Sequence, residues 1–167
     1  NAISQAPDGI ALAANDQSAV LDSLQDALDA KIPVVCFDTG VPDAPEGSVI
    51  ATIATDNESA GAVAAENMYP VIKDAIANAS GQVRIGEVNQ DATSANISGR
   101  GMGFINKMKE LIEADGKTVA VIGNQFYVDQ VENNGDEGSA DVIIEVAVPA
   151  QTTVELSATE ASNIMNK

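Results

Sequence analysis

The sequence predicts an α/β fold in which parallel sheets are flanked by helices. Three observations predict it. Val34, Val35, Cys36 and Phe37 form an apolar run without polar alternation, the pattern of a strand covered on both faces. Strand, polar turn and helix recur along the chain, and the first strand, helix and second strand fall within about 30 residues, the size of a βαβ unit. Hydrophobic residues make up 45% of the 167 residues and aromatics only 3%, so the core must be built from Ala, Val, Ile and Leu. Small side chains of this kind let helices lie close on a sheet.

The elements follow in order. Ile3 to Ala6 reads as a last helical turn, stopped by Pro7 and Asp8-Gly9. Ile10 to Ala13 is a short strand, and Asn15-Asp16-Gln17-Ser18 a polar turn with several potential N-caps. Val20, Leu21, Leu24, Ala27 and Leu28 recur at helical spacing. The strand Val34–Phe37 comes next, and its crossover is expected to be right-handed. A Pro/Gly loop leads to a strand over Val49–Ala54. A helical pattern runs from Glu58 to about Asn78, with Pro70 expected to kink or split it. Val83–Val88 is a strand followed by polar Asn89-Gln90-Asp91. Ile97, Phe104, Ile105, Met108, Leu111 and Ile112 stripe a helix over Ser94–Asp115. Thr118–Ile122 reads as a strand, Asn124–Ser139 as a polar, acidic segment carrying Phe126 and Tyr127, and Asp141–Val148 as a weakly alternating strand. Thr159–Asn166 is a final helix.

Composition removes several function classes. A net charge of −17 argues against nucleic acid and anionic membrane surfaces as partners. With no His and a single cysteine, Ser-His and Cys-His catalysis and multi-cysteine zinc sites are excluded. Cys36 sits within an apolar run and reads as an inert core thiol. No stretch has the length and apolarity of a transmembrane helix, and no signal peptide is present, although Asn1–Pro7 reads as the end of an element begun upstream.

The polar residues at strand ends are the candidates for chemistry. Asp38-Thr39-Gly40 closes a buried parallel strand, where open α/β sheets bind ligands; a plain polar turn explains it equally. Asn15-Asp16 and Asp56-Asn57 can both be helix caps. Gly99-Arg100-Gly101-Met102-Gly103 is neither a Walker sequence nor a dinucleotide fingerprint. Glycine costs about 1 kcal/mol relative to alanine inside a helix. Three so close together imply a backbone packed tightly against a neighbour. Arg100 lies near a helix amino end, against the dipole, so a partner is expected: Asp38, Asp91 or a ligand oxygen. Asp129, Glu132, Asp136 and Glu137 lack the calcium-loop spacing. No metal and no cofactor is expected, and no pair of carboxylates is marked for glycosidase chemistry.

The order of these pieces is more specific than any one of them. Asp8-Gly9-Ile10-Ala11-Leu12-Ala13, Ile32-Pro33-Val34-Val35-Cys36-Phe37-Asp38, Ala54-Thr55-Asp56-Asn57 with Gly61, and Gly99-Arg100-Gly101-Met102-Gly103-Phe104 follow one another. Together they resemble the ribose-binding type of ABC-transporter solute-binding protein, the periplasmic sugar-binding family. The same effector fold occurs in regulators related to the lactose repressor. Those tend to carry a His near the position of Gln82, which this chain lacks.

The resemblance implies parts of two lobes of a type I periplasmic-binding-protein fold, over residues 1–51 and 52–167, with Val49–Thr55 as the first hinge crossing. It implies a non-enzymatic, extracytoplasmic protein (periplasmic or cell-surface) that serves an ABC importer and takes a sugar-like ligand by hinge closure. A ligand-sensing effector domain of a transcription regulator is the alternative. By the resemblance, Asp38 accepts sugar hydroxyl hydrogens and Arg100 donates to sugar oxygens. Thr39, Asn15, Asp16 and Asn89 are further candidate contacts. Thr39 stands where the ribose binder has a second arginine, and Gln151-Thr152-Thr153 stands near the place of a stacking aromatic, for which Phe126 or Tyr127 is a substitute. These departures weigh against a simple ribose ligand. Relative to the family the chain is a fragment, and alone it is expected to bind sugar weakly or not at all.

Overall fold

The computed structural model describes residues 2–167. The chain forms two compact units. One runs to Asp56 and includes Thr93–Asn96; the other comprises Asn57–Ala92 and Ile97–Lys167.

The first unit opens with a 3₁₀ turn at Ile3–Gln5, closed by Ala6 in the left-handed region. It then contains β1 (Ile10–Leu12), α1 (Leu21–Asp29), β2 (Val34–Phe37) and β3 (Val49–Ile53). The three strands form a parallel sheet in the order β1-β2-β3. The turn into α1 is fastened by Asp16, whose Oδ1 accepts the N–H groups of Ser18 (2.9 Å) and Ala19 (3.1 Å). Leu24 and Ala27 of α1 bury against Val34 and Cys36 of β2, with Ala14 and Val41 closing the cluster. Burial raises the Cys36 thiol pKa, against a hydrogen bond with Thr52, as fits an inert core cysteine.

The expectation that β2 is covered on both faces needs correction. Val34 and Cys36 are buried, but Phe37 is 50% exposed, and on β3 Ile50 and Ile53 are 67% and 68% exposed. The apolar run records two faces built for burial, and within this unit α1 packs on one of them.

The second unit contains α2 (Asn57–Asn78), β4 (Val83–Val88), α3 (Ala95–Ala114), β5 (Val119–Gly123), α4 (Gln125–Val128), β6 (Val142–Ala147) and α5 (Val154–Met165). The first residues of α3 belong to the other unit. The sheet is parallel, with β6 between β4 and β5. Position explains why β6 does not read as a half-exposed strand. Val142, Ile144 and Val146 enter the main core with Ile105, Met108 and Ile112 of α3, while Ile143 is buried with Ala120 and Ala140. Pro70 does not split α2, which runs as one helix of 22 residues. The last helix starts earlier than its periodicity indicates: Thr153 caps it, its Oγ1 accepting the Leu156 N–H at 3.3 Å.

Two glycines bring α2 and α3 into backbone contact. A Cβ on Gly61 would lie 2.0 Å from the Arg100 carbonyl oxygen, and one on Gly103 would lie 2.1 Å from that of Glu58. Of the clustered glycines of α3, Gly103 thus has a packing cause, whereas a Cβ on Gly99 would make only an ordinary contact, 3.7 Å from the Asn57 Cβ.

Glu145 is a buried carboxylate in the central strand, 7% exposed. Arg84 Nη1 on β4 donates to its Oε2 at 2.7 Å, and Lys167 Nζ donates to Oε1. Burial pushes its pKa up, but the hydrogen bonds from Lys167 and Arg84 outweigh this and hold it below the usual value of 4.5. The stability it contributes is therefore present above about pH 4.5 and lost as pH falls through the lower folded-state pKa. Arg84→Met is expected to cost about 2 kcal/mol, less than complete breakage of a buried pair because Lys167 remains. Arg84→Met/Glu145→Leu should recover most of that loss. Urea midpoints at pH 7 check both.

Candidate functional site

The candidate residues occupy the carboxyl ends of the parallel strands and the first turns of α3. Past β1, Asn15 and Asp16 are exposed, and Asp16 already serves the turn into α1. Past β2 the backbone turns sharply. Asp38 has φ of 61°, in the left-handed region that non-glycine residues seldom adopt. Its N–H donates to the Ile53 carbonyl at 2.9 Å, and the Thr39 N–H reaches back to the Phe37 carbonyl at 2.6 Å. The result is a three-residue turn centred on the aspartate. Thr39 is buried within it, while Asp38 is exposed. The Thr39 hydroxyl lies 3.5 Å from Asp38 Oδ2, at the outer limit of a hydrogen bond. Gly40 follows where a Cβ would come within 3.2 Å of the Thr52 methyl. An acid held in a sparsely populated conformation at a strand end is a local cost of about 1–3 kcal/mol, of the kind that clusters at ligand sites.

Arg100 is exposed on α3 and belongs to the second unit. Its Nη2 donates to Asn57 Oδ1 at 2.6 Å. Asn57 is the first residue of α2, so the close approach of the two helices positions the guanidinium. From the sequence, Asn57 reads as a helix cap and as part of the Asp-Asn pair of the family resemblance, not as a partner of Arg100.

Past β4, the Asn89 N–H donates to the Ala147 carbonyl at 2.9 Å, continuing the ladder with β6. Its side-chain Nδ2 donates to Glu87 Oε1 at 2.7 Å. Glu87 Oε2 is buried and has no hydrogen-bond partner among the described residues. Burial raises the Glu87 carboxyl to about 7, against the lowering effect of the Asn89 hydrogen bond. Tyr127 of α4 completes the cluster. It is fully buried, its hydroxyl donates to the Asp91 carbonyl at 2.8 Å, and burial together with the Glu87 and Asp91 charges raises its pKa. A Cβ on Gly101 of α3 would lie 2.7 Å from Asn89 Nδ2, 2.8 Å from Tyr127 Cε1 and 2.9 Å from Glu87 Oε1.

Sequence reasoning missed Glu87 and Tyr127 as parts of this cluster. The available signal is an acid inside a strand, Gly86-Glu87-Val88, that ends next to a polar turn. Full burial removes Tyr127 as a stacking face for a sugar; Phe126, 38% exposed, meets it edge to face at 5.3 Å. No group of three or more His, Cys, Asp or Glu side chains able to hold a metal occurs among the described residues.

Comparison with known proteins gives the chain a family. The model of the periplasmic binding protein domain matches residues 1–155. A protein of Brachyspira murdochii described as "ABC transporter, LacI family transcriptional regulator" matches at 29% identity and TM-score 0.69, over 97% of this chain and 45% of that one. A sugar ABC transporter (sugar-binding protein) from Bacillus halodurans matches at 25% identity and TM-score 0.52, over 89% of this chain and 38% of that one. A glucose-galactose binding protein from Geobacillus stearothermophilus shares the fold at 19% identity and TM-score 0.65, over 99% of this chain and 45% of that one. The chain thus spans less than half the length of each of these structures. No curated protein matches the sequence. With the family model matching nearly its whole length, the chain belongs to the periplasmic binding protein family.

Proposed function

We propose that this chain is part of an extracytoplasmic solute-binding protein of an ABC importer, with a sugar or sugar-like ligand held between two lobes by hinge closure. The observation that carries the reading is family membership over residues 1–155, within a family of binding proteins. The Bacillus sugar-binding protein and the Geobacillus glucose-galactose binding protein support the choice of ligand class. The first lobe is taken as residues 1–51 and the second as 52–167, the crossing between them starting in β3. Asp38 and Arg100 are the proposed principal contacts, with Thr39, Asn15, Asp16 and Asn89 as further ones. A carboxylate and a guanidinium suit a polyhydroxy ligand, since each hydroxyl both donates and accepts. Contacts to both lobes would stabilise the closed state, which the permease reads. No helix among the described residues is long and apolar enough to cross a membrane.

The test is thermal unfolding of the full-length protein with D-galactose, D-glucose, D-fucose and D-ribose. A ligand at one hundred times its dissociation constant adds about 2.7 kcal/mol, a shift of several degrees. At least one sugar should produce it, and Asp38→Asn should remove it. Absence of any shift would sink the sugar reading. The Brachyspira description favours a second reading, a ligand-sensing regulator. Retention of DNA fragments by the full-length protein would support that reading; the net charge of −17 on this chain speaks against it.

A further inference from the structure

We propose that Glu87 is a positioning residue for Asn89: its ionised carboxylate holds the Asn89 amide in one orientation, and uptake of a proton reverses that orientation. The proposal rests on the reading of Asn89 as a ligand contact only for its consequence in binding.

The geometry is one short hydrogen bond beside an unpartnered oxygen. Asn89 Nδ2 donates to Glu87 Oε1 at 2.7 Å, and Oε2 of the same carboxyl is buried without a partner among the described residues. An ionised carboxylate only accepts, so it selects the NH₂ side of the amide. A protonated carboxyl can donate, so it can select the carbonyl side instead. An asparagine amide can exchange these two arrangements by rotating half a turn. Oδ1 faces away from Glu87 in the first arrangement and NH₂ does so in the second. A hydroxylated ligand would meet an acceptor in one case and a donor in the other.

The surroundings make the proton easy to keep. From α4, Tyr127 faces the carboxyl, but its hydroxyl is committed to the Asp91 carbonyl. From the end of β4 the neighbours are Asn89 and Asp91, the latter a second negative charge beside Tyr127. From α3 the facing residue is Gly101, which brings no side chain. The adjacent Arg100 guanidinium is engaged with Asn57. No Lys or Arg offsets the buried charge among the described residues, and burial raises the carboxyl to about 7. The reversal therefore falls near neutral pH, with the proton bound below it and released above it.

The test is the side-chain amide cross-peak of Asn89 in proton–nitrogen NMR spectra of the full-length protein, assigned by its loss in Asn89→Asp, from pH 5 to 9. It should shift with a midpoint near pH 7 in the wild type and stay fixed in Glu87→Gln. A cross-peak that is flat in the wild type, or that titrates equally in Glu87→Gln, overturns the proposal. The wild-type titration needs no variant to fold. D-galactose affinity at pH 6 and pH 8 then reads the consequence: a change of at least threefold in the wild type, absent in Glu87→Gln, supports it. A moving cross-peak with equal affinities overturns the link to the ligand. Failure of D-galactose to bind at either pH counts against the sugar reading, whereas the cross-peak decides the role of Glu87.

Discussion

Gly61→Val is expected to unfold the second unit or leave it with little stability at 25 °C. The Cβ of any larger residue at 61 would sit 2.0 Å from the Arg100 carbonyl oxygen and 2.8 Å from the Phe104 nitrogen. Both are backbone atoms of α3, so no rotamer change relieves the overlap. The two helices must separate, and with them the packing of Ala65 and Tyr69 against Met102 and Ile105. Overpacking a core costs about 1–3 kcal/mol when neighbours can shift. Backbone against backbone should reach about 3 kcal/mol for Ala and exceed it for Val, a large part of the 5–15 kcal/mol that stabilises a typical domain. Gly81→Ala is the matched control: nothing lies within 4 Å of a Cβ there, and it should be neutral within about 0.5 kcal/mol. Urea unfolding followed by far-ultraviolet circular dichroism checks all three. A Gly61→Val protein as stable as wild type would mean that the two helices do not touch through these glycines. Because Asn57 holds Arg100 across the same contact, Gly61→Ala should also lower sugar affinity under the proposed function.

How much of this was legible in the sequence depended on whether the signal was local. Val34–Phe37 announced a strand through four adjacent residues, and the helix carrying Ile105, Met108 and Ile112 announced itself through its spacing. The glycines at 99, 101 and 103 signal close packing, but nothing local names Glu58 and Gly61 of α2 as the backbone that faces α3, since those contacts join helices far apart in sequence. Asp141–Val148 reads as a weakly alternating strand, and the strand observed there, Val142–Ala147, carries the charged Glu145. The charge is tolerated there because Arg84, two strands earlier in the chain, lies beside it in the sheet and Lys167 donates to its other oxygen. The site followed the same rule. Asp38 stood out as an acid at a strand end, yet its left-handed backbone depends on the hydrogen bond to Ile53 of the neighbouring strand. Glu87 gives no local sign that one of its carboxyl oxygens is buried, because the groups around it, Tyr127 and Gly101, come from α4 and α3.

Tyr127→Ala is expected to cost about 4 kcal/mol, and Tyr127→Phe about 1 kcal/mol. The ring is fully buried, packs under Gly101 and meets Phe126 edge to face, so truncation opens a cavity against α3 that the glycine cannot fill. Phenylalanine keeps the ring and loses only the hydroxyl that donates to the Asp91 carbonyl. The two variants therefore separate packing from tethering. If the ring mainly fills space, Tyr127→Phe should leave Asn89 where it is, and sugar affinity should be unchanged. If the hydroxyl tethers the segment after β4, Tyr127→Phe should weaken affinity several-fold at a stability cost too small to explain it. The structure favours the second outcome, because the tether joins α4 to the loop carrying Asn89 and Asp91, two and four residues beyond the half-buried Glu87. Urea midpoints combined with D-galactose titrations of the full-length protein distinguish them. Equal stability of Tyr127→Ala and wild type would contradict the burial of this ring and, with it, the desolvation that raises the Glu87 carboxyl.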